Sequence, residues 1–338
     1  MDKEKTKQAI DKVFRDMAGA MSAGMAYVGT RTGLFRAMAG KGPMTLEQVV
    51  QASGLQSRYV EEWLRGMAAA GYLEYSDHRY TLPDEMAYFV ASDGTDHFVG
   101  GMYAMVPPLL NVAPKVADAF AKGGGVPFDE FGPDCIAALD LINRGQYEER
   151  FASYWLKALP EVTAKLAAGG RMLDFGCGSG RVAMAIKKAF PAAQVEGYDV
   201  DAQSISRARE AAKNLDIRFG TEVPSGQFDL VTICDCIHDL AAPVDTLKRV
   251  HSLVKGTLFI VEPKAGDRLE DNLNPVGTMF YGFSLFHCMT QSLARGGPGL
   301  GTCMGPAQTE KLVREAGFRQ FRMLDIKSMT NLFYSAHP

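Results

Sequence analysis

The sequence predicts an α/β protein in two parts: a mostly α-helical N-terminal region that closes in a winged helix, and a C-terminal domain on a mostly parallel sheet. Three observations predict it. From Lys5 to Met38 apolar residues recur at helical spacing. Between Thr45 and Leu82 a helix, a second helix and a short hairpin follow one another. In the C-terminal half the period changes, and strand-like runs alternate with helical ones, the pattern of a parallel sheet covered on both faces. The length of 338 residues suggests about two domains. A hydrophobic content of 47% excludes a disordered chain.

The first segment carries small residues at Ala18, Gly19, Ala20, Ala23, Gly24 and Ala26, so it suits a helical hairpin or part of a dimer interface. Thr45-Leu-Glu-Gln48 is a capping box, in which a hydroxyl and an amide satisfy the free N–H groups of a new helix. Gly54 ends that helix, and Ser57 is the expected cap of the next, which stops at Gly71. Tyr72–Tyr75 and Arg79–Leu82 read as strands around Ser76-Asp77-His78. A winged helix raises the question of nucleic acid. The second helix sets Arg58 and Arg65 against Glu61 and Glu62, so it lacks the cationic face that displaces phosphate counterions. The formal net charge of -3 agrees, and argues against an anionic membrane as well.

Asp84 to Lys122 is helical in pattern, with breaks expected at Pro107-Pro108 and Pro114; Gly123–Phe128 is a loop and Asp134–Leu159 a helical connector. The expected domains are residues 1–100, the connector 101–160, and 161–338. None of the cysteines at 135, 177, 234, 236, 288 and 303 forms a CxxC pair, which argues against a disulfide framework or a zinc ribbon. No metal is expected at Cys234-Asp-Cys236 either, because no further His or Cys stands at suitable spacing. Met1-Asp-Lys-Glu-Lys5 lacks the apolar core of a secretory signal, and no apolar run approaches the ~20 residues that span a bilayer. The expectation is a reduced, soluble, cytoplasmic protein.

The segment richest in chemistry is Leu173-Asp-Phe-Gly-Cys-Gly-Ser-Gly-Arg181. A strand ends at Asp174, and Gly176, Gly178 and Gly180 let the backbone turn tightly against a ligand. Three glycines alone also fit dinucleotide folds. Acids sharpen the reading: Asp174 precedes the first glycine, Asp199 ends the next strand, where it can accept both hydroxyls of a ribose, and Asp235 follows the strand Phe228–Ile233.

From about Leu166 to the C-terminus this constellation resembles the class I S-adenosylmethionine-dependent methyltransferases. The resemblance implies a Rossmann-like seven-stranded sheet, completed by an antiparallel strand from the tail hairpin Phe318–Ile326 and Asn331–His337. It implies S-adenosylmethionine as cofactor and S-adenosylhomocysteine as product. Gly176, Gly178 and Gly180 would border the methionine part, with Asp174 beneath its amino group. Asp199 would hold the ribose, Val200 would pack on the adenine, and Gly220 and Thr221 would lie near the adenine edge. Asp235 and Cys236 would line the wall near the sulfonium. With the winged helix in front, the chain resembles the small-molecule O-methyltransferases of plant and antibiotic pathways, which are usually homodimers; here the N-terminal domain would form the dimer. In that family a His-Asp pair supplies the general base, and His238-Asp239 occupies its place. The plant enzymes follow the pair with Trp, whereas this chain has Leu240-Ala-Ala-Pro243.

The acceptor site is expected under Asn274–Met289 and the loop Gly296–Gly301, with Tyr281 and His287 as polar contacts. Asn143-Arg-Gly-Gln-Tyr147 offers Arg144 and Tyr147 on nearby faces of one helix, and an Arg fork suits a carboxylate. Through Ala23–Gly29, Asn143–Tyr147 and Leu285–Met289 the chain looks most like the marine bacterial enzymes of dimethylsulfoniopropionate synthesis, which S-methylate 4-methylthio-2-hydroxybutyrate. A thioether has no proton to lose, so on that reading His238 positions the substrate. O-methylation with His238 as base is the second reading. A third, a catalytically silent winged-helix regulator that senses S-adenosylmethionine, would want a basic hairpin, where only His78 and Arg79 stand.

Overall fold

The computed structural model describes all residues, 1–338, and divides them into two compact units. One comprises Met1–Pro108 and Ala137–Gly145, the other Leu109–Ile136 and Gln146–Pro338.

In the first unit the N-terminal segment is one helix, Lys3–Thr32, rather than a hairpin. Asp2 caps it by accepting from the Glu4 and Lys5 N–H groups, and Gly33 ends it in the left-handed region at φ 78°. Leu34–Met38, Leu46–Ser53 and Ser57–Ala69 follow as helices. The capping box of Thr45 and Gln48 forms as the sequence predicts. Ser57 is already helical, and Gln56 takes the cap position without a side-chain bond. Strands β1 (Glu74–Ser76) and β2 (Arg79–Thr81) pair antiparallel. Asp77 and His78 both take positive φ, as a two-residue hairpin turn requires. Phe35 and Trp63 meet edge to face at 5.1 Å, among buried Met38, Val49, Leu64 and Met67. Burying each such side chain contributes about 1.5–3 kcal/mol. Arg58 and Arg65 pair with Glu61 and Glu62, so the cations of this helix are neutralised by its own acids. Helix Gly100–Asn111 runs through Pro107 and Pro108 without the expected break. Proline's fixed φ is helical, and the helix continues at the cost of the bonds that the missing N–H groups of 107 and 108 would have made one turn upstream.

The second unit holds a seven-stranded sheet: β3 (Arg171–Phe175), β4 (Gln194–Tyr198), β5 (Ile217–Gly220), β6 (Phe228–Cys234), β7 (Val254–Pro263), β8 (Gln320–Leu324) and β9 (Asn331–His337). Their spatial order is β5-β4-β3-β6-β7-β9-β8. β3 to β7 are parallel, and β9 enters antiparallel beside β7, as the tail hairpin implies. Successive strand residues serve opposite faces: Met172 and Phe259 join one apolar cluster, Leu173 and Leu258 the other. The strand order reverses beside β3, and the carboxyl ends of β3, β4 and β6 meet there, where open α/β sheets bind ligands. No helix is long and apolar enough to cross a membrane.

Candidate active site

At the end of β3 the chain turns through Gly176 (φ 74°), Gly178 (φ 49°) and Gly180 (φ 77°), conformations an L side chain rarely adopts. The Gly176 and Cys177 N–H groups donate to the Tyr198 carbonyl, which ties the turn to β4. A methyl group on Gly176 would lie 2.8 Å from Cys236 Sγ, so the turn abuts the segment after β6. A methyl on Gly178 would meet nothing within 4 Å, so the middle of the turn faces open space.

Asp199 stands half-buried just past β4. Its Oδ2 accepts from Gly178 N at 2.8 Å and its Oδ1 from Asp201 N at 2.9 Å. Each carboxylate oxygen keeps a second lone pair, enough for the two hydroxyls of a ribose. Burial raises its pKa, against the N–H donors that lower it. Val200 beside it leaves 66% of its side chain exposed, an apolar surface open to a flat partner. Asp174 is buried, accepting from Thr232 Oγ1 (2.8 Å) and Ala183 N (3.3 Å). Burial pushes it up to about 7, a cost that a cationic amino group above it would relieve. Gly220 closes β5, and Thr221 next to it is exposed. These residues fit the cofactor that the sequence implies: acceptors for hydroxyls, an acid for an amine and a turn without side chains.

A second cluster lies beyond β6. His238, on the turn Ile237–Asp239, is buried. Its Nδ1 lies 2.5 Å from Glu262 Oε2 at the end of β7, and Glu262 Oε1 accepts from Ile237 N at 2.8 Å. Its Nε2 is 3.3 Å from Asp239 Oδ1, off the line of a hydrogen bond, so that oxygen is left without a partner. Burial alone disfavours the charged ring, but the Glu262 and Asp239 carboxylates outweigh it and hold His238 well above the ordinary histidine range. The two carboxylates thus favour the imidazolium over the neutral ring.

The helical run over this cluster changes to a π-helical turn at Ser284–Cys288, a device that recurs at functional sites. It carries His287, buried edge to face against Phe131 and Phe128. Gln291 Nε2 donates to Asp239 Oδ2 at 2.8 Å and lies 3.4 Å from His287 Nδ1, which favours the tautomer with the proton on Nε2. That Nε2 has no partner. Burial lowers the His287 pKa, so the ring is neutral. The cluster thus presents two buried, unmatched atoms: an acceptor on Asp239 and a donor on His287.

The other expected contacts are placed as follows. Tyr147 is buried and donates its hydroxyl to Asp235 Oδ2 at 2.6 Å; Asn331 Nδ2 donates to Asp235 Oδ1 at 2.9 Å. Arg144 is exposed, and Tyr281 is 42% exposed. Cys236 is half-buried, and burial pushes its thiol well up. His238, Asp239 and Cys288 bring one potential ligand atom each within 4.8 Å of one another. Burial pushes the Cys288 thiol up to about 11, so a divalent ion would have to displace protons from both Cys288 and His238. Sequence reasoning missed Glu262, Gln291 and Asn331. Glu262 had a signal: an acid ending the apolar run Leu258-Phe-Ile-Val261.

Residues 144–319 match a family model described as a methyltransferase domain, and residues 20–92 one described as an Rv2258c-like winged HTH domain. The ribosomal protein L11 methyltransferase of Thiobacillus denitrificans is 42% identical over 72 residues, 20% of this chain; the match spans only 24% of that relative's own length. The ubiquinone biosynthesis O-methyltransferase of Pseudomonas aeruginosa is 28% identical over 180 residues, 50% of this chain and 70% of that one. Among solved structures, human N-acetylserotonin methyltransferase in complex with S-adenosylmethionine superposes with a TM-score of 0.65 at 18% identity over 98% of each chain. An O-methyltransferase family protein from Burkholderia thailandensis gives 0.66 at 14%, over 100% of this chain and 98% of that one. At these identities the likeness to the solved structures is one of fold.

Proposed function

Because the chain belongs to the methyltransferase-domain family and is an S-adenosylmethionine-dependent methyltransferase, we propose that it methylates the sulfur of a small thioether acid, 4-methylthio-2-hydroxybutyrate. Asp174, the glycine turn, Asp199 and Val200 hold the cofactor, which when bound supplies an electrophilic methyl on a sulfonium. The observation that carries the choice of acceptor is the pair of carboxylates on His238, Glu262 at Nδ1 and Asp239 beside Nε2. Held between Glu262 and Asp239, the ring is biased toward its protonated form, in which it has no lone pair with which to deprotonate a hydroxyl. A thioether attacks through a free lone pair and needs alignment rather than a base. On this reading the α-hydroxyl donates to the open Asp239 Oδ1, while His238 and the unmatched His287 Nε2 hold the acid end. Asn274–Met289 excludes water.

The test is mass spectrometry of purified protein with S-adenosylmethionine and the thioether acid, with phenolic acceptors in parallel. A sulfonium product one methyl heavier is expected, with a kcat that stays level between about pH 6 and 8. Methylation of the phenol alone, at a rate rising with pH through the histidine range, would sink the proposal. The name of the Pseudomonas aeruginosa relative, an O-methyltransferase, favours that second reading, in which His238 would be the base.

The proposal includes a homodimer formed through the N-terminal helix. Ile10, Val13, Phe14, Met17 and Met21 are exposed at helical spacing along Lys3–Thr32, an apolar stripe suited to a second copy. Light scattering should give twice the chain mass for the wild type. The double variant Phe14→Asp, Met17→Asp should give a folded monomer; a wild-type monomer would refute the dimer.

A further inference from the structure

We propose that the Asp235 carboxylate is the counter-ion for the sulfonium charge, placed where that charge leaves the cofactor and reaches the acceptor. The inference rests on the cofactor assignment above; its cofactor half holds whichever acceptor is methylated, and its acceptor half belongs to the thioether reading.

Asp235 follows the last residue of β6, and the next residue, Cys236, abuts the glycine turn at Gly176. Cys236 is within electrostatic reach of Asp199 and also of Asp239, Glu262 and His238. Residues 235 and 236 therefore lie near both clusters, and on the cofactor assignment above a methyl group transferred from one to the other would move along this segment.

The backbone of Asp235 is strained. Its φ of 49° puts a non-glycine residue in the left-handed region, as in only two other residues, Asp77 and His78. Those two sit in a hairpin turn that demands it. Asp235 has no hairpin, and its N–H donates to Val261 of the neighbouring strand. A conformation of this kind costs about 1–3 kcal/mol and persists where the surroundings hold it, often at functional sites. Here it turns the carboxylate toward Tyr147 and Asn331.

Both partners are neutral donors, one on each oxygen. A carboxylate set in the interior with no cation bonded to it is poorly compensated. Burial pushes its pKa up to about 6; the Tyr147 hydroxyl and His238 lower it, and Glu262 and Asp239 raise it. His238 is already paired with Glu262 at Nδ1, so the site retains an excess of negative charge. A permanent cation with no N–H to donate suits such an oxygen pair, because it needs no hydrogen-bond alignment. In S-methylation the acceptor sulfur gains the positive charge as the cofactor sulfur becomes a neutral thioether. One fixed anion between them stabilises the charge throughout its transfer.

The test is calorimetric titration of the full-length Asp235→Asn variant with S-adenosylmethionine and with S-adenosylhomocysteine, which differ by the methyl and its charge. Asn is isosteric and enters the left-handed region readily, so the fold should persist. We expect the affinity for the cationic cofactor to fall at least about tenfold, and that for the neutral product to change less than about twofold. Equal losses for both ligands would mark Asp235 as a structural bracket and overturn the proposal, as would no loss for either. Tyr147→Phe removes one bracket bond and keeps the charge, so the ratio of the two affinities should stay at its wild-type value. A ratio that falls in Tyr147→Phe as far as in Asp235→Asn would also overturn it. A wild type that binds neither ligand would remove the cofactor assignment itself, and this inference with it.

Discussion

Asp199→Ala is expected to weaken S-adenosylmethionine binding at least about 100-fold, because each charge-assisted hydrogen bond that the proposed ribose contact would make contributes about 1.5–3 kcal/mol. The variant also loses the acceptors for the Gly178 and Asp201 N–H groups, so the glycine turn loosens as well. Thermal shift separates the two effects. The wild type should gain about 2.7 kcal/mol of stability at S-adenosylhomocysteine one hundred times above its Kd. Asp199→Ala should gain almost nothing at the same concentration. Asp199→Asn keeps the side chain's shape but only one of the two acceptor oxygens, so it should lower the unliganded melting temperature as well as lose most of the cofactor affinity. Full affinity in Asp199→Ala would refute the ribose assignment.

Glu262→Gln should destabilise the protein by about 3 kcal/mol near neutral pH, the scale for removing one partner of a buried ion pair. Gln retains the oxygen that accepts from Ile237 N, but it cannot hold the proton on His238 Nδ1. The pH dependence follows from the direction of the shift. His238 has its folded pKa raised above the unfolded value of about 6.5. Its contribution to stability is therefore complete below about pH 6.5 and is lost as pH rises through the folded pKa. Denaturant midpoints of the two proteins should differ most in mildly acidic buffer and converge in alkaline buffer. A gap that widened with pH would show that His238 is neutral in the fold, which would restore it as a candidate base.

How legible the site was depended on how far apart in the chain its parts lie. The glycine turn, Asp174 and Asp199 were readable because they sit at local junctions of strand and helix, where turn chemistry leaves a mark in the order of residues. The capping box at Thr45 was readable for the same reason. The pair His238-Asp239 was visible, yet the sequence could not say whether its imidazole carries a proton, because that depends on Glu262, 24 residues away. The uninterrupted helix through Pro107-Pro108 went the other way: a strong local signal for a break did not end the helix, because proline's fixed φ is itself helical.

The sequence alone determined the fold class, the order of its two parts, the turn at Gly176–Gly180 and the acids at the strand ends. Each is encoded within a few residues, by hydrophobic period or by backbone freedom. Only the tertiary structure decided the chemistry of the second cluster. β6 pairs with β7 in a register that sets Cys234 against Val261, and that brings Glu262 to the turn carrying His238. β9 pairs with β7 so that Asn331 faces Pro263, which delivers an amide to Asp235 across 96 residues. Strand order and register place these side chains together, and their burial there sets which of them are charged; neither leaves a trace in local sequence.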